Sequence, residues 1–544
     1  MKRHAAVRAV NPRFPPFPNS TIVPRVLAEA RVNGGMVTSI DPTDLESNQA
    51  QYLRNMRVRF DKTLRRPGYT TFGPTAPNTN KILKLVTVKD DLGNATTLRF
   101  TKAGVHKLTA GPAWTAITGT LAGGDSDRIS VIVLEGKFYF LNNGADEIQA
   151  INGALTTFAD LGNAPRYKFG TGFYERIVGA NRVNVSSVEL GWSGQLNPTV
   201  WDFPTDISAN SMFLVESPSD LGDHISGVYG ITNYLVIPRE RSIWVCTKNP
   251  QPQKPFNPYN AAPGVGTNLP YTVAVWEGGI IFADARTGTV WLYTVGERPE
   301  PIGRPNDKLF YRQLSQVGFN DAFSSYDPVL NEYTLVLPIP GSGVYPAWTY
   351  NFRTKAWSYD EYPITVWSLQ DFDFASGYIS IDELLGTIDG LQGTIDSLSP
   401  PANQIPTRAF GMSNGTIMSE ARDTPSANTD NGEPIKSDFV SKWFQLPIDD
   451  QSVGHVRIDL QFESNGEVEF FYAIDGADFG DTKSVPDPRW KSYTNNYSDQ
   501  RTETFIVPLN VRCRSFAFKL KATSGRYAIV EYDVTTYGLG RTLK

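Results

Sequence analysis

The stretch IVLEGKFYF, residues 132–140, holds two short runs of apolar and aromatic residues joined by Glu135-Gly136. This pattern predicts a β-hairpin, because β-branched and aromatic residues favour strands and glycine can adopt the backbone of a tight turn. Similar pairs recur along the chain at a spacing of about 45 residues; they begin near Thr97, Tyr234, Ile280, Tyr333 and Arg408. Hairpins at this spacing are typical of the blades of a β-propeller.

A single hairpin is too small to bury both of its faces, so neighbouring sheets must pack against each other around an axis. We therefore predict an all-β fold in which residues 34–435 form a β-propeller of about seven blades, with six as the alternative. The strand near Val58 is a candidate for completing the last blade. Such pairing would close the ring by joining the N-terminal part of the chain to the C-terminal part.

After residue 435 the segments become longer, and several of them alternate strictly between apolar and polar residues, as in His455–Leu460 and Tyr527–Tyr532. Alternation gives each strand one buried and one solvated face. We predict a β-sandwich or jelly-roll domain over residues 436–544.

The N-terminal residues 1–33 predict an extended arm, because Pro12, Pro15, Pro16 and Pro18 block helix formation and little apolar surface is present. We expect this arm to become ordered only by lying on another surface.

The segment Ser47–Met56 predicts a short helix, with Ser47 as its N-cap and Ala50, Leu53 and Met56 at helical spacing.

An isoleucine followed by an aspartate recurs every seven residues, at Ile381, Ile388 and Ile395. The segment is short for a coiled coil and contains Gly386 and Gly390, which are poor helix residues. We predict instead an insertion loop near residues 379–404 that lies on a blade or on a neighbouring subunit.

The 544-residue chain has a formal net charge of −5, which argues against a protein that wraps nucleic acid by neutralising phosphates. Its positive charges are concentrated in two N-terminal clusters, which contain Lys2, Arg3, Arg8, Arg13, Arg25 and Arg31, and then Arg54, Arg57, Arg59, Lys62, Arg65 and Arg66. Two interpretations follow: a basic arm that docks on an acidic partner or nucleic acid, or a solvated arm with scattered charges.

The residue types that usually carry catalysis or bind metals are few and scattered. The two cysteines, Cys246 and Cys513, lie far apart in strand-like segments, which predicts reduced, buried thiols. The four histidines, which lack metal-ligand spacing, are His4, His106, His224 and His455. The sequence contains no nucleophile elbow and no phosphate loop. No signal peptide is evident, and no apolar run reaches the roughly 20 residues of a membrane helix. We predict no catalytic, cofactor-binding or metal site.

Two features of the sequence indicate alternative functions, one catalytic and one in carbohydrate binding. Some propellers are glycosidases, which use paired carboxylates, and the acidic residues here are Asp202, Asp206, Glu216, Asp220, Asp223, Asp371 and Asp373. Acidic residues in such loops are more often solvated turn formers, and the hairpins lack Ser/Asp-box turns. The turn Ala473–Gly476, followed by Trp490, resembles a hairpin of carbohydrate-binding sandwiches. A turn plus a packed tryptophan is the preferred interpretation.

Several strings together resemble the tail nozzle proteins (tail tubular or stabilisation proteins) of short-tailed bacteriophages. They cover most of the chain and include Gly34–Asp44, Leu53–Val58, Leu64–Tyr69, Leu190–Ser193, Trp201–Phe203, Arg239–Trp244, Tyr326–Pro328, Asn331–Tyr333, Tyr532–Val534 and Gly538–Arg541. The resemblance implies a propeller subunit of a hexameric tube below the portal and adaptor, which serves as DNA conduit and closed gate.

From this resemblance we expect a non-enzymatic structural protein of the virion tail, synthesised in the host cytoplasm. Its expected partners are copies of itself, an adaptor or portal-side tail protein and tail fibres or tailspikes, with genomic DNA passing through without sequence recognition. Acidic loops on the lumen wall would repel phosphates. The alternatives are a glycan-binding propeller that recognises receptors and a propeller glycosidase.

Overall fold

The structure is a computed structural model that describes residues 23–59, 61–89, 95–109, 113–371, 408–420, 429–447, 452–462, 466–476, 491–497, 502–522 and 524–538. Within these residues the fold is all-β, as predicted, and α1 (Asp307–Leu314) is the only α-helix. Short 3-10 helices span Pro218–Gly222, Pro270–Thr272 and Arg304–Asn306. None of these described helices is long and apolar enough to cross a membrane.

The N-terminal part of the described chain forms five strands, β1 (Val23–Arg31), β2 (Ala50–Arg54), β3 (Met56–Arg59), β4 (Lys62–Arg65) and β5 (Tyr69–Thr71). Five antiparallel meanders follow. They are β6 (Lys84–Lys89), β7 (Ala95–Thr101), β8 (Gly104–Thr109) and β9 (Ala113–Ile117); β10 (Ile129–Leu134), β11 (Lys137–Asn142), β12 (Gln149–Ile151) and β13 (Phe158–Asp160); β14 (Tyr167–Phe173), β15 (Arg176–Arg182), β16 (Ser186–Trp192) and β17 (Asn210–Phe213); β18 (Tyr229–Ile231), β19 (Tyr234–Pro238), β20 (Ser242–Lys248) and β21 (Phe256–Pro263); and β22 (Ala274–Trp276), β23 (Gly279–Asp284) and β24 (Thr289–Thr294).

Two further groups of strands complete this series. The first is the meander β25 (Phe323–Asp327), β26 (Glu332–Val336), β27 (Tyr345–Asn351) and β28 (Ala356–Tyr362). The second is β29 (Val366–Asp371), β30 (Ala409–Met412) and β31 (Ile417–Glu420), to which the N-terminal strand β5 adds in the register Met418↔Thr71. A parallel pairing of Gln370 with Leu85 joins β29 to β6, so the last of these sheets touches the first.

The C-terminal part contains β32 (Thr429–Asp430), β33 (Glu433–Pro434), β34 (Ser437–Ser441), β35 (Phe444–Gln445), β36 (Ser452–Phe462), β37 (Gly466–Ile474), β38 (Lys491–Tyr497), β39 (Thr502–Arg512), β40 (Ser515–Ala522) and β41 (Tyr527–Gly538). Two sheets form here, and both include N-terminal strands. One has the order β2-β34-β40-β37-β38, and the other contains β3-β4-β41-β36-β39 with β1 also on β41. Strands β2 and β4 lie in the range that the sequence assigned to the propeller, and they pair with strands of residues 436–544.

Aromatic side chains fill the spaces between neighbouring sheets. Phe140 of β11 is fully buried, with its ring centroid 5.2 Å from Phe100 of the preceding meander and 5.5 Å from Phe158. Burying a side chain of this size stabilises the fold by about 1.5–3 kcal/mol. Because a meander alone cannot cover such residues, each sheet depends on its neighbours for a core.

The predicted helix at Ser47–Met56 is wrong, since the structure has strands β2 and β3 there. A register shift between Ala50 and Tyr52, in the pairing with β34, disturbs the two-residue alternation, and Asn55 has a positive φ of 53° between the two strands. These irregularities bury Ala50, Leu53 and Met56 at a three-residue spacing that imitates a helix.

The other N-terminal predictions have mixed outcomes. Residues 23–31 of the predicted arm are extended and lie along β41, while residues 1–22 and the predicted insertion near 379–404 lie outside the described residues. The strand containing Val58 pairs with β4 and β28, and the strand that completes the last sheet is β5 instead.

The closing strand β5 provides a test of this architecture. Tyr69 is buried, with its ring 4.4 Å from Phe410 and 5.7 Å from Tyr362, so Tyr69→Ala should lower the free energy of unfolding by about 3–5 kcal/mol. The exposed neighbour Thr70 is the matched control, and Thr70→Ala should change it by less than about 1 kcal/mol. Urea unfolding followed by tryptophan fluorescence measures both; equal effects would contradict the closing role of β5.

Candidate functional site

A cavity of about 410 Å³ lies among the small sheets. Residues from seven strands, or from the turns just before them, line it; the strands are β6, β10, β14, β18, β22, β25 and β29. Each is the first strand of its group, so the cavity is the shared centre of the series.

Arg128, at the start of β10, extends to groups that are distant in sequence. Its Nε and Nη2 donate to the carbonyl oxygens of Asn320 and Asp321, and its Nη1 donates to that of Trp367, each at 2.9 Å. The guanidinium also lies 4.7 Å from the Phe323 ring centroid. Burial lowers the pKa of Arg128 to about 10. Arg128 therefore ties β10 to the segments around β25 and β29 through neutral acceptors.

The volume of the cavity limits the size of the molecules that it can hold. Its volume is that of a small-molecule pocket, whereas the major groove of duplex DNA alone is about 12 Å wide. A DNA conduit cannot run through the centre of a single chain of this shape.

The second basic cluster of the sequence forms a buried ion network. Arg57, on β3, donates from Nε to Asp360 and from Nη1 to Glu420, both at 2.7 Å, and from Nη2 to the Tyr362 hydroxyl at 3.0 Å. Arg57, Asp360 and Glu420 are each at most 2% exposed. These contacts join β3 to β28 and β31.

Arg59 lies two residues further along β3, on the same face of the strand. It forms a bidentate pair with Glu332 of β26, with N–O distances of 2.5 and 2.7 Å. Arg408 approaches the same carboxylate at 3.3 Å and Asp327 at 3.6 Å. Burial raises the pKa of Glu332, but the adjacent Arg59 and Arg408 outweigh it and hold that pKa at about 2.

Arg66 extends this arginine–carboxylate network towards the C-terminal part. Its guanidinium pairs with Asp430 through Nη1 at 2.8 Å and Nη2 at 2.5 Å, and its Nε donates to the Asn55 side chain. The same group lies 4.6 Å from the centroid of the Tyr69 ring. Arg66 thus links β5, the β2–β3 junction and β32.

The structure shows which groups surround the second basic cluster of the sequence. Arg57, Arg59, Arg65 and Arg66 are at most 6% exposed, so they are not available to nucleic acid or solvent. Arg57, Arg59 and Arg66 pair with carboxylates of the same chain. Arg65 donates instead to the backbone carbonyl oxygens of Gly525 and Ile435. Within the first cluster, only Arg25 and Arg31 lie in the described residues, on β1.

Sequence reasoning missed these carboxylate partners, which come from β25, β26, β28, β31 and β32. One signal was present: Arg57 and Arg59 alternate within an apolar strand, a position where a charge must be buried with a counter-charge.

The acidic residues considered for glycosidase chemistry are used in turns. Asp202 accepts hydrogen bonds from the backbone and hydroxyl of Thr205, and Asp206 does the same for Ser208. Asp220 accepts the backbone N–H groups of Ser217 and Glu216 at 2.8 Å, which lowers its pKa.

The remaining acids fit no paired arrangement that the structure describes. Asp223 accepts from the backbone of Arg241 and the hydroxyl of Ser242. Glu216 is exposed, the backbone of Asp371 ends β29, and Asp373 lies outside the described residues.

The histidines and cysteines are also dispersed. His224 Nδ1 lies 2.6 Å from the hydroxyl of Ser187, His106 is on β8, and His455 is on β36, while His4 is outside the described residues. Cys246 and Cys513 are free, buried thiols, as predicted, and burial raises the pKa of each to about 12. In the described part of the chain no three His, Cys, Asp or Glu side chains are grouped to hold a metal ion.

The turn considered for carbohydrate binding has a structural use. Asp475 has a positive φ of 51°, and its carboxylate accepts the backbone N–H groups of Arg514 and Ser515. Trp490 lies outside the described residues.

Comparison with known proteins finds distant structural similarities alone. Neither the protein-family models nor the curated proteins give a match. Virginiamycin B lyase from Staphylococcus aureus is 12% identical with a TM-score of 0.37, covering 64% of this chain and 98% of its own. PorZ of the type-IX secretion system of Porphyromonas gingivalis is 12% identical, with a TM-score of 0.33 and coverage of 72% and 44%. The extracellular domain of the putative hybrid two component system BT4673 from B. thetaiotaomicron is 10% identical, with a TM-score of 0.40 and coverage of 84% and 60%.

The arginine–carboxylate network predicts a pH-dependent stability. Glu332→Gln removes the charge that faces Arg59, so it should lower the free energy of unfolding by about 3–5 kcal/mol at neutral pH. Because the pKa of Glu332 falls from 4.5 to about 2 on folding, its contribution is complete above pH 4.5 and is lost as the pH falls to about 2. Urea unfolding of both proteins at several pH values should show their difference shrinking in acid.

The matched control is the exposed pair Lys102–Asp125, whose N–O distance is 3.2 Å. Asp125→Asn should change the free energy of unfolding by less than about 1 kcal/mol. A Glu332→Gln effect as small as this, or one independent of pH, would contradict the network's role.

Proposed function

We propose that the seven groups of strands around the central cavity are the blades of one β-propeller, with β5 completing the last blade. The shared cavity supports this, because the first strand of every group lines it. The contact between β29 and β6 supports closure of the ring. The C-terminal strands, joined by β1 to β4, act as a β-sandwich clamped to the propeller by the buried arginines.

We propose further that the protein is a non-enzymatic structural subunit of a bacteriophage tail nozzle. One observation carries this proposal: strings that resemble the nozzle family in sequence meet in space. Arg57 comes from Leu53–Val58, Arg66 from Leu64–Tyr69, and Asp327 and Glu332 from the two strings between Tyr326 and Tyr333, and all belong to one network. The resemblance thus concerns the residues that fix the architecture.

In this proposal the conduit lies between copies of the chain. The central cavity is too small for duplex DNA, and Arg128 bridges strands across it. A ring of copies, six in the nozzle family, would enclose a wider lumen. The portal-side adaptor, and fibres or tailspikes, are its proposed neighbours in the virion tail.

The enzymatic and glycan-binding alternatives gain no support from the described residues. Asp202, Asp206, Asp220 and Asp223 are engaged in turns, as structural carboxylates are. Asp475 holds two backbone N–H groups.

The proposal predicts a closed ring of the purified full-length chain. Native mass spectrometry should give a mass six times that of the chain, and negative-stain imaging should show rings with a central lumen wide enough for duplex DNA. A strict monomer at micromolar concentration, or an open filament, would contradict the nozzle function.

A further inference from the structure

The third sheet and the segments next to it contain several exposed apolar side chains. Between residues 185 and 221 six large apolar residues are exposed: Val185, Leu196, Phe203, Ile207, Phe213 and Leu221. Phe213 and Leu221 are each 58% exposed. They are brought together by Arg239, which donates to the carbonyl oxygens of their neighbours Leu214 and Asp220.

The same surface offers a sheet edge. Strand β17 pairs with β16, and within the described residues its other edge has no partner strand. Ser211 and Phe213 are exposed along it. An exposed edge of this kind can pair with an added extended segment.

The ionised side chains that residues 183–238 contribute are all acidic. From Val183 to Pro238 the sequence has no lysine or arginine, and it contains six acidic residues, Glu189, Asp202, Asp206, Glu216, Asp220 and Asp223. Asp202, Asp206, Glu216 and Asp220 form no salt bridge with any described residue. The surface therefore suits an extended, basic segment with apolar side chains.

The chain itself contains a segment of that chemistry. Residues 1–22 carry Lys2, Arg3, Arg8 and Arg13 and no acidic residue, and they include Phe14 and Phe17. Residue 23 starts β1, so residues 1–22 are attached to the rest of the chain at the C-terminal sheets. Twenty-two extended residues span at most about 70 Å, enough to cross between adjacent copies.

The positions of the β17 edge and of residue 23, where residues 1–22 are attached, favour docking between copies. The C-terminal sheets attach to the groups β25–β28 and β29–β31 through β3 and β5. Counting around the cavity, β25–β28 is three sheets from β14–β17 in one direction, and β29–β31 is three sheets from it in the other. Residue 23, where residues 1–22 are attached, and the β17 edge thus face opposite sides of one chain. This is the arrangement of a head-to-tail interface that closes into a ring.

We propose that residues 1–22 of one copy dock on the acidic, apolar edge formed by β17, Phe213 and Leu221 of the next copy. This inference deepens the proposed function, because the ring of copies is taken from it.

The test is a cross-link between two full-length populations with different tags, one carrying Phe17→Cys and the other Ser211→Cys. The native thiols are buried, so a short bis-maleimide should react with the introduced ones. We expect a product containing both tags, and its yield should fall as salt is raised towards about 1 M, because charge attraction contributes. No mixed product would overturn the proposal, and so would a cross-link confined to single copies of the double variant Phe17→Cys/Ser211→Cys.

A matched pair of surface variants tests the acceptor. Adding Phe213→Asp and Leu221→Asp to the Ser211→Cys population should lower the yield by at least about tenfold, as loss of a buried anchor does. Phe319 is 63% exposed and distant from β17 in sequence, and Phe319→Asp should leave the yield unchanged. Equal yields from both variants would overturn the proposal.

Imaging separates this inference from the proposed function. A chain lacking residues 1–22 that still forms rings of six, with no cross-link in the full chain, would overturn the docking and leave the nozzle assignment standing. Mixed cross-links from a chain that never forms a ring of six would support the docking and contradict the nozzle.

Discussion

A buried guanidinium group must have an opposite charge or several oxygen acceptors around it, and this requirement governs the architecture. Arg57 and Arg59 enter the interior on β3, and Arg66 does so between β4 and β5. Their carboxylates come from residues roughly 270 to 360 positions later. Leaving one of these arginines unpaired would cost several kcal/mol. The N-terminal segment is therefore held in one position, between the central sheets and the C-terminal strands.

The buried ion pairs fix the position of the small sheets relative to the C-terminal strands. The side chain of Arg57 joins β3 to β28 and β31, and that of Arg66 reaches β32. The small sheets and the C-terminal strands therefore share one set of contacts. Buried ion pairs contribute more to the choice of one arrangement than to net stability. A fixed arrangement of the two parts is compatible with the proposed role as a structural subunit.

Local sequence predicted the parts of the fold that local interactions determine. The hairpins at 132–140, 234–245 and 280–293 are present because short apolar and aromatic runs separated by a few turn residues suffice to specify them. The helix expected at Ser47–Met56 failed because a register shift and the left-handed Asn55 produce a three-residue period within strands.

Predictions that depend on distant partners were harder to make. The basic cluster at residues 54–66 suggested an external partner, since nothing nearby in sequence reveals that Asp360, Glu420 and Glu332 will face it. Likewise the closing strand was placed near Val58 although β5 occupies that position, because a three-residue strand has no distinctive pattern of its own.

The pairing of Thr71 with Met418 also affects the order in which the chain can fold during its synthesis. At a translation rate of about 5–20 residues per second, β5 waits roughly 20–70 s after leaving the ribosome before its partner strand emerges. In that interval the sheets between them can form. The first and last sheets cannot yet pair, and the arginines of β3 lack their carboxylate partners. The pairing that joins β5 to its sheet therefore waits until residues 417–420 have been synthesised.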